Sequence, residues 1–365
     1  MSTARSSVSA VVSRARREVP LLRGPSLSAL RIPPHWPAEH SLFSAAIQQA
    51  SRTRLLRLKL LSNDAESLRR FDSSNFGLLA AYTYPQATRE RLEVCNDWHA
   101  WLFFFDDVAD EASAVRQRPG ELEELMVACV EVLRGAPMRP HATPLEHYTL
   151  DIRRRLRRLA SQEWLSRFAD DVDLYLFRGT LPAARHWAEG TVPDFDAYYM
   201  QRALDSAVFT ALDLIEITVP GRELPVEVLT DFDLLLMREL STRVVALSND
   251  LFSYEKEVLW HDNPNNLVHM LRVHRGMDLE EAVAEAIRVI NTDMERFLAC
   301  EERMLESGWL EDPRVAYFVG GMQAWMRGNV TWSRVSGRYC SRTSPFPELR
   351  LKEGRPSGSG AGGRG

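Results

Sequence analysis

The residues best suited to chemistry sit in Phe103-Phe104-Phe105-Asp106-Asp107-Val108-Ala109-Asp110-Glu111. Asp106 and Asp110 are one helical turn apart and face the same way, with Asp107 rotated to their side. Carboxylates crowded like this repel one another unless a cation neutralises them. Hard oxygen ligands suit Mg²⁺ bound together with substrate phosphates. The aromatic run just upstream sets such an ion at the rim of an apolar pocket. The alternative is a solvated acidic helix end, but carboxylates at a helix C-terminus oppose the macrodipole and call for a partner.

A second oxygen-rich stretch is Asn249-Asp250-Leu251-Phe252-Ser253-Tyr254-Glu255-Lys256-Glu257. Asn249, Ser253 and Glu257 are spaced four apart, so an amide oxygen, a hydroxyl and a carboxylate stack on one helical face. Together they make three ligands for one hard cation. Lys256 stands beside them, able to reach a phosphate oxygen. Polar residues on an ordinary exposed face would read similarly, yet the helix around them is strongly apolar, and Asn and Ser are mediocre helix formers.

These stretches need long helices to hold them, and the pattern supplies them. From Glu90 onward, Cys95, Trp98, Leu102 and Phe105 recur at helical steps and draw a buried stripe into the acidic cluster. A second pattern starts near Pro225 and runs through Leu229, Phe232, Leu236, Leu240, Val244, Leu247 and Leu251. Others cover Leu279 to Ser307 and Val315 to Tyr339. Turns are marked by Pro119-Gly120, Pro137 to Pro144, Pro220-Gly221 and Asp262 to Pro264. There is no run of alternating strands and no internal repeat. The fold class is all-α, a single-domain bundle of about ten helices.

Composition narrows the function. The chain has 365 residues, a net charge of −5 and no basic block in its body, which argues against nucleic acid as a partner. Four scattered cysteines, Cys95, Cys129, Cys300 and Cys340, have neither CxxC nor zinc spacing and fit reduced thiols. No apolar run is long enough for a transmembrane segment, so a cytoplasmic protein is expected. Residues 1–28 are rich in Ser and Arg with Glu18 the one acid, and read as a disordered tail rather than a transit peptide. Residues 351–365, Gly/Ser/Arg-rich from Gly354, read as a second tail, leaving 29–350 as the folded domain.

In this order the motifs resemble those of class I terpene synthases. Asp106-Asp107-Val-Ala-Asp110 looks like their aspartate-rich motif, and Asn249, Ser253 and Glu257 look like their complete Asn/Ser/Glu metal triad. Arg338-Tyr339 resembles the C-terminal Arg-Tyr pair, following Trp325-Met-Arg-Gly-Asn329 and Trp332-Ser333. Arg202 lies where the family places a diphosphate-sensing Arg, and Asp205 matches the acidic linker after it. The following residue is usually Gly in that family and is Ser206 here. Asn75 to Tyr82, continuing to Pro85, is similar to fungal sesquiterpene cyclases in particular.

The resemblance implies a class I terpenoid synthase bundle around a central apolar active-site pocket, binding a prenyl diphosphate through three Mg²⁺ ions. Arg202, Lys256, Arg338 and Tyr339 would then donate to the leaving diphosphate. The allylic C–O bond breaks heterolytically, and the pocket, with Phe103 and Trp332 among its implied walls, must hold the carbocation away from water. No side chain stands out as a general base, and the family's chemistry lets the released diphosphate take the proton. The leading expectation is a sesquiterpene synthase acting on farnesyl diphosphate, as monomer or homodimer. Geranyl and geranylgeranyl diphosphate are alternative substrates. A chain-elongating prenyltransferase would need a second aspartate-rich motif. The one other acidic patch, Asp170-Asp171-Val-Asp173, is followed by Leu174 and reads as a solvated face. A non-catalytic prenyl-binding protein would have no use for an intact metal triad.

Overall fold

In the computed structural model, residues 25–110 and 119–351 are described, with backbone alone at 107–110 and 119. Fourteen α-helices lie among them. The first half holds α1 (Ser44–Arg57), α2 (Ala65–Ser74), α3 (Phe76–Thr83), α4 (Arg89–Asp110), α5 (Pro119–Arg134), α6 (Pro144–Leu156) and α7 (Gln162–Leu174). The second holds α8 (Leu181–Glu189), α9 (Phe195–Asp205), α10 (Val208–Asp213), α11 (Phe232–Tyr254), α12 (Leu267–Arg275), α13 (Leu279–Glu306) and α14 (Pro313–Ser333). Among the described residues β-structure is limited to one isolated bridge between Ser341 and Arg350. No described helix is long and apolar enough to cross a membrane.

The all-α expectation therefore holds, with more pieces than the expected ten. The surplus comes from short helices such as α3 and α10, too brief to show a period. Pro119-Gly120, read as a turn, opens α5 instead, because proline at the first helical position gives up an N–H that has no partner there anyway. The pattern from Pro225 becomes regular only after Asp231, whose carboxylate accepts from the N–H groups of Asp233 and Leu234 and caps α11. The helix expected to reach Tyr339 ends at Ser333. The folded body also begins earlier than residue 29. Leu27 is fully buried, its N–H donates to Glu348 at 2.9 Å, and Ser26 donates to the same carboxylate.

Two helices organise the rest. α11 packs against α9, α10, α12, α13 and α14, and α4 against α1, α3, α6 and α10. From Leu240 to Glu255 every residue of the α11 region is buried except Asn249. A helix buried all round is a core axis rather than a surface stripe, so one half-exposed polar residue on it marks an internal space. On α4, Trp98 stacks on Trp101 (4.8 Å) and Trp101 on Phe105 (5.2 Å). Both indoles are satisfied in the core, Trp98 by the hydroxyl of Thr210 and Trp101 by that of Thr149, each at 2.8 Å. This rigid ladder holds the other face of α4 toward the internal space.

Two helices loosen into wide π-turns, Tyr175–Thr180 after α7 and Glu255–Trp260 after α11. Such insertions gather at functional sites because they re-aim side chains without ending the helix. In the first, Gly179 lies tight against the end of α9. A Cβ there would fall 2.6 Å from the Leu204 carbonyl carbon and 2.7 Å from Asp205 Cα. Only glycine lets the two backbones approach so closely.

Candidate active site

The internal space is a cavity of about 1240 Å³, open mouth included, bounded by α3, α4, the first π-turn and helices α8 to α11 and α14. Leu79, Leu102, Ala211, Val245 and Trp325 supply its apolar wall. Of the residues expected from sequence, Phe103, Asp106, Arg202, Asp205, Ser206, Asn249, Ser253, Lys256, Glu257, Arg338 and Tyr339 all line it. Asp110, with Asp107 and Glu111, lies outside the described side chains, so its expected place at the metal is not seen.

Asn249 and Ser253 belong to α11 and Glu257 to the π-turn that continues it, so the three share one rim despite the widened turn. The Ser253 hydroxyl donates to the Asn249 backbone carbonyl at 2.8 Å, leaving its lone pairs open. Asn249 donates through Nδ2 to the Tyr339 hydroxyl at 2.7 Å, which fixes the amide and keeps Oδ1 as an acceptor. Glu257 accepts from Asn266 Nδ2 at 3.0 Å. Asn266 in turn caps α12 and donates to the Asp250 carbonyl, tying the rim to the next helix. Burial pushes the Glu257 carboxyl above its ordinary range, and the nearby Asp250 charge adds to that; Arg202 and Lys256 offset it only in part. A half-buried acid short of positive charge, beside an amide and a hydroxyl oxygen, is a donor set that suits a hard divalent cation. No three His, Cys, Asp or Glu side chains among the described residues gather into a metal site by themselves, and at this rim the amide and hydroxyl oxygens stand beside the one carboxylate.

Arg202 comes from the last turn of α9. It donates from Nε to Asp250 Oδ1 at 2.9 Å, and Asp205 lies 3.9 Å from its other nitrogen. Asp250 is fully buried and also accepts from the Tyr198 hydroxyl (2.6 Å) and the Leu267 N–H (2.9 Å). Sequence reasoning passed over Asp250, although it adjoins Asn249; one residue round the helix turns it away from the cavity to hold the guanidinium from behind. Burial raises Asp205 to about 7, against the pull of Arg202.

The chain breaks immediately after Asp205, as expected, but the left-handed residue is Ala207 at φ +60°, with Ser206 in the right-handed region. Ser206 bridges the break instead, donating to the Ala203 carbonyl and accepting from the Val208 N–H. That explains how serine serves at this place without glycine's freedom.

Arg338 and Tyr339 lie beyond α14 in a tight turn. Gly337 seats this turn by donating to the Ser73 carbonyl at 2.8 Å, where a Cβ would meet Ser73 Cβ at 2.7 Å. Arg338 then reaches Asp106 at 3.1 Å and lies 4.6 Å from the Phe103 ring centroid. Phe76 stacks on the same ring at 4.5 Å. Both partners engage the faces of Phe103, which leaves it to meet the cavity largely by its edge. Burial raises the Tyr339 phenol to about 12, so it stays a hydroxyl.

Trp332, expected as a pocket wall, is set behind the cavity. It is 1 % exposed, its indole N–H is held by the Ser74 and Asn75 carbonyls, and its ring packs on Phe103 and Tyr339. Those carbonyls at the α2–α3 joint draw it into the core. Two turns earlier on α14, Trp325 takes the place at the wall, with Asn329. The Asp170–Asp173 patch lies away from the cavity. Asp170 and Asp173 pair with Arg134, and Asp171 pairs with Arg238, so the patch is less purely solvated than its pattern reads.

Residues 97–296 match the family model described as terpene synthase family 2, C-terminal metal binding. The chain is 30 % identical over 305 residues to the germacrene A synthase of Nostoc punctiforme, covering 83 % of this chain and 93 % of that one. It is 29 % identical to a 4-epi-cubebol synthase, (2E,6E)-farnesyl diphosphate cyclizing, of Streptosporangium roseum, covering 88 % and 96 %. Among solved structures, a cucumene synthase variant superposes with a TM-score of 0.72 at 28 % identity, covering 84 % of this chain and 99 % of the other.

Proposed function

The chain belongs to the terpene synthase family, and from that premise we propose a Mg²⁺-dependent sesquiterpene synthase that ionises and cyclises farnesyl diphosphate with release of diphosphate. The observation that carries this reading is one cavity mouth at which oxygen ligands and phosphate donors meet above an apolar wall. Asn249, Ser253 and Glu257 would hold metal on the α11 side and Asp106, with Asp110, on the α4 side. Mg²⁺ supplies Lewis-acid stabilisation of the diphosphate oxygens when bound.

The protein's own groups do the rest. Arg202, Lys256 and Arg338 place three positive charges around the leaving group, and un-ionised Tyr339 adds a hydroxyl. Asp250 keeps Arg202 extended toward the mouth; Asp106 does the same for Arg338. The apolar wall excludes water from the cation, and desolvated aromatic faces stabilise it by about 2 kcal/mol each. A chain-elongating prenyltransferase fits less well, because the Asp170–Asp173 carboxylates are spent on Arg134 and Arg238 outside the cavity.

The test is incubation of purified protein with Mg²⁺ and, separately, geranyl, farnesyl and geranylgeranyl diphosphate. Diphosphate release and gas chromatography of the extract are followed. Farnesyl diphosphate should give a C15 product, and chelating the metal should abolish it. Preferred turnover of a shorter or longer chain corrects the substrate; no turnover of any refutes the reading.

A further inference from the structure

Asn249 is the half-exposed ligand on an otherwise buried stretch of α11. Its amide has no sharp rotamer to rely on, because the terminal torsion of asparagine is broad. Two neighbours set it instead. Nδ2 donates to the Tyr339 hydroxyl at 2.7 Å, and Oδ1 faces Arg202 Nη2, a group that can only donate, at 3.5 Å. Both contacts agree on which way the amide is turned, and the short one belongs to Tyr339. Tyr339 is itself held: it is 5 % exposed, its ring is edge-on to Trp332 at 5.5 Å, and its N–H donates to the Ser336 carbonyl at 3.2 Å. A phenol oxygen that accepts still has a hydrogen to give. That hydrogen meets no acceptor among the described residues, and Tyr339 lines the cavity. The residue before it, Arg338, meets Asp106 on the opposite rim, so this dipeptide touches an oxygen ligand on each side of the mouth.

We propose that Tyr339 is a positioning residue for the α11 metal rim and links that rim to the leaving diphosphate, an inference that rests on the metal-dependent reading above. The resemblance assigns Tyr339 as a donor to diphosphate alone, and the geometry adds a second duty. By accepting from Nδ2 it keeps Oδ1 on the rim with the Ser253 hydroxyl and Glu257. When its own hydrogen goes to a phosphate oxygen, the phenol oxygen becomes a better acceptor, because hydrogen bonds in series polarise one another. The amide is polarised in turn, and Oδ1 becomes the stronger ligand. Partners that orient a metal ligand from behind are worth on the order of 10–100-fold in metal affinity. Diphosphate therefore tightens the rim through Tyr339 as well as by its own charge.

The test is a titration of the whole chain with Mn²⁺, a hard ion that also prefers oxygen ligands and whose unbound fraction is read by electron paramagnetic resonance. It is run without and with saturating inorganic diphosphate. Tyr339→Phe keeps the ring against Trp332 and removes only the hydroxyl; circular dichroism checks that the variant is folded. Without diphosphate its Mn²⁺ affinity should fall on the order of tenfold, and with diphosphate the deficit should widen. Asn249→Asp supplies a carboxylate, which has no N–H to be held, so adding Tyr339→Phe to it should cost no further Mn²⁺ affinity. A general loosening of the mouth would instead lower the affinity in both backgrounds. A diphosphate-free affinity left unchanged by Tyr339→Phe, an equal loss in the Asn249→Asp background, or a deficit that does not widen with diphosphate overturns the proposal. Wild type that binds no Mn²⁺ even with diphosphate present instead removes the metal-dependent reading, and this inference with it.

Discussion

Asp250→Asn tests how the cavity-lining Arg202 guanidinium is held. The side chain is nearly isosteric but loses its charge, and one amide oxygen must serve two sets of donors. Arg202 Nε approaches one carboxylate oxygen, while the Tyr198 hydroxyl and Leu267 N–H approach the other. Whichever way the amide turns, its NH₂ group faces a donor. Asp250 is 0 % and Arg202 11 % exposed, so the pair is within the regime where breaking a buried ion pair costs about 3–5 kcal/mol. At about 2.1 cal/mol/K of unfolding entropy per residue over 365 residues, a loss near 4 kcal/mol lowers Tm by about 5 °C. Diphosphate release should slow on the order of a hundredfold, the effect of misplacing one donor to a developing anion. Differential scanning fluorimetry and a diphosphate-release assay measure the two effects. The double variant Asp250→Asn/Arg202→Met should regain much of the lost Tm, because no unpaired charge stays buried, but none of the activity. Wild-type Tm and rate in Asp250→Asn, or strictly additive losses in the double variant, would refute the reasoning.

Glu257→Gln removes the one charged ligand of the α11 rim and should shift the Mg²⁺ titration to higher concentration and slow ionisation by on the order of a hundredfold, with product identity largely kept. Trp325→Ala should broaden the product mixture seen by gas chromatography, whereas Trp332→Ala should cost about 3–5 kcal/mol in a denaturant melt. His99 and His269 are held neutral by burial, with pKa lowered to about 3 and about 4. Their unfolded forms gain protons below about 6.5, so stability present above that pH is lost as pH falls, by about 2 kcal/mol per histidine at pH 5; His269→Gln should flatten the slope of a pH–Tm series. A chain beginning at Ala29 should melt below one beginning at Pro25, by the ~2 kcal/mol of the buried Leu27 side chain.

Much of the bundle could be read from apolar periodicity and capping residues. α13 runs from Leu279, behind the Asp278 cap and its reciprocal Glu281, to Glu306, one residue from its expected end. Asp106 and the Asn249, Ser253 and Glu257 rim could be picked out in the sequence because oxygen-bearing side chains at four-residue spacing stand out on apolar helices, and the structure sets these four on one cavity. Their partners could not. Asp250 and Arg202 meet across 47 intervening residues, and only the fold says which carboxylate takes the guanidinium. Trp325 and Trp332 share a helical face, so periodicity treats them alike; the carbonyls of Ser74 and Asn75, which accept from the Trp332 indole, decide which one is core. A lone histidine within the buried stripe of α4 reads as packing. The π-turn at Glu255 has no period of its own, and it carries Lys256 and Glu257.

Gly179 touches neither ligand set nor cavity wall, yet the seat of α9 depends on the atom it lacks. A single added methyl would have to displace the Leu204–Asp205 backbone, and with it the helix end that carries Arg202. The damage would arrive as misalignment, in a chain whose every reactive group was still present. Anyone reshaping this protein by screening cavity residues would leave this position untouched. It is nonetheless the seat against which the end of α9 is fitted, and its clearance is set to less than the width of one carbon atom.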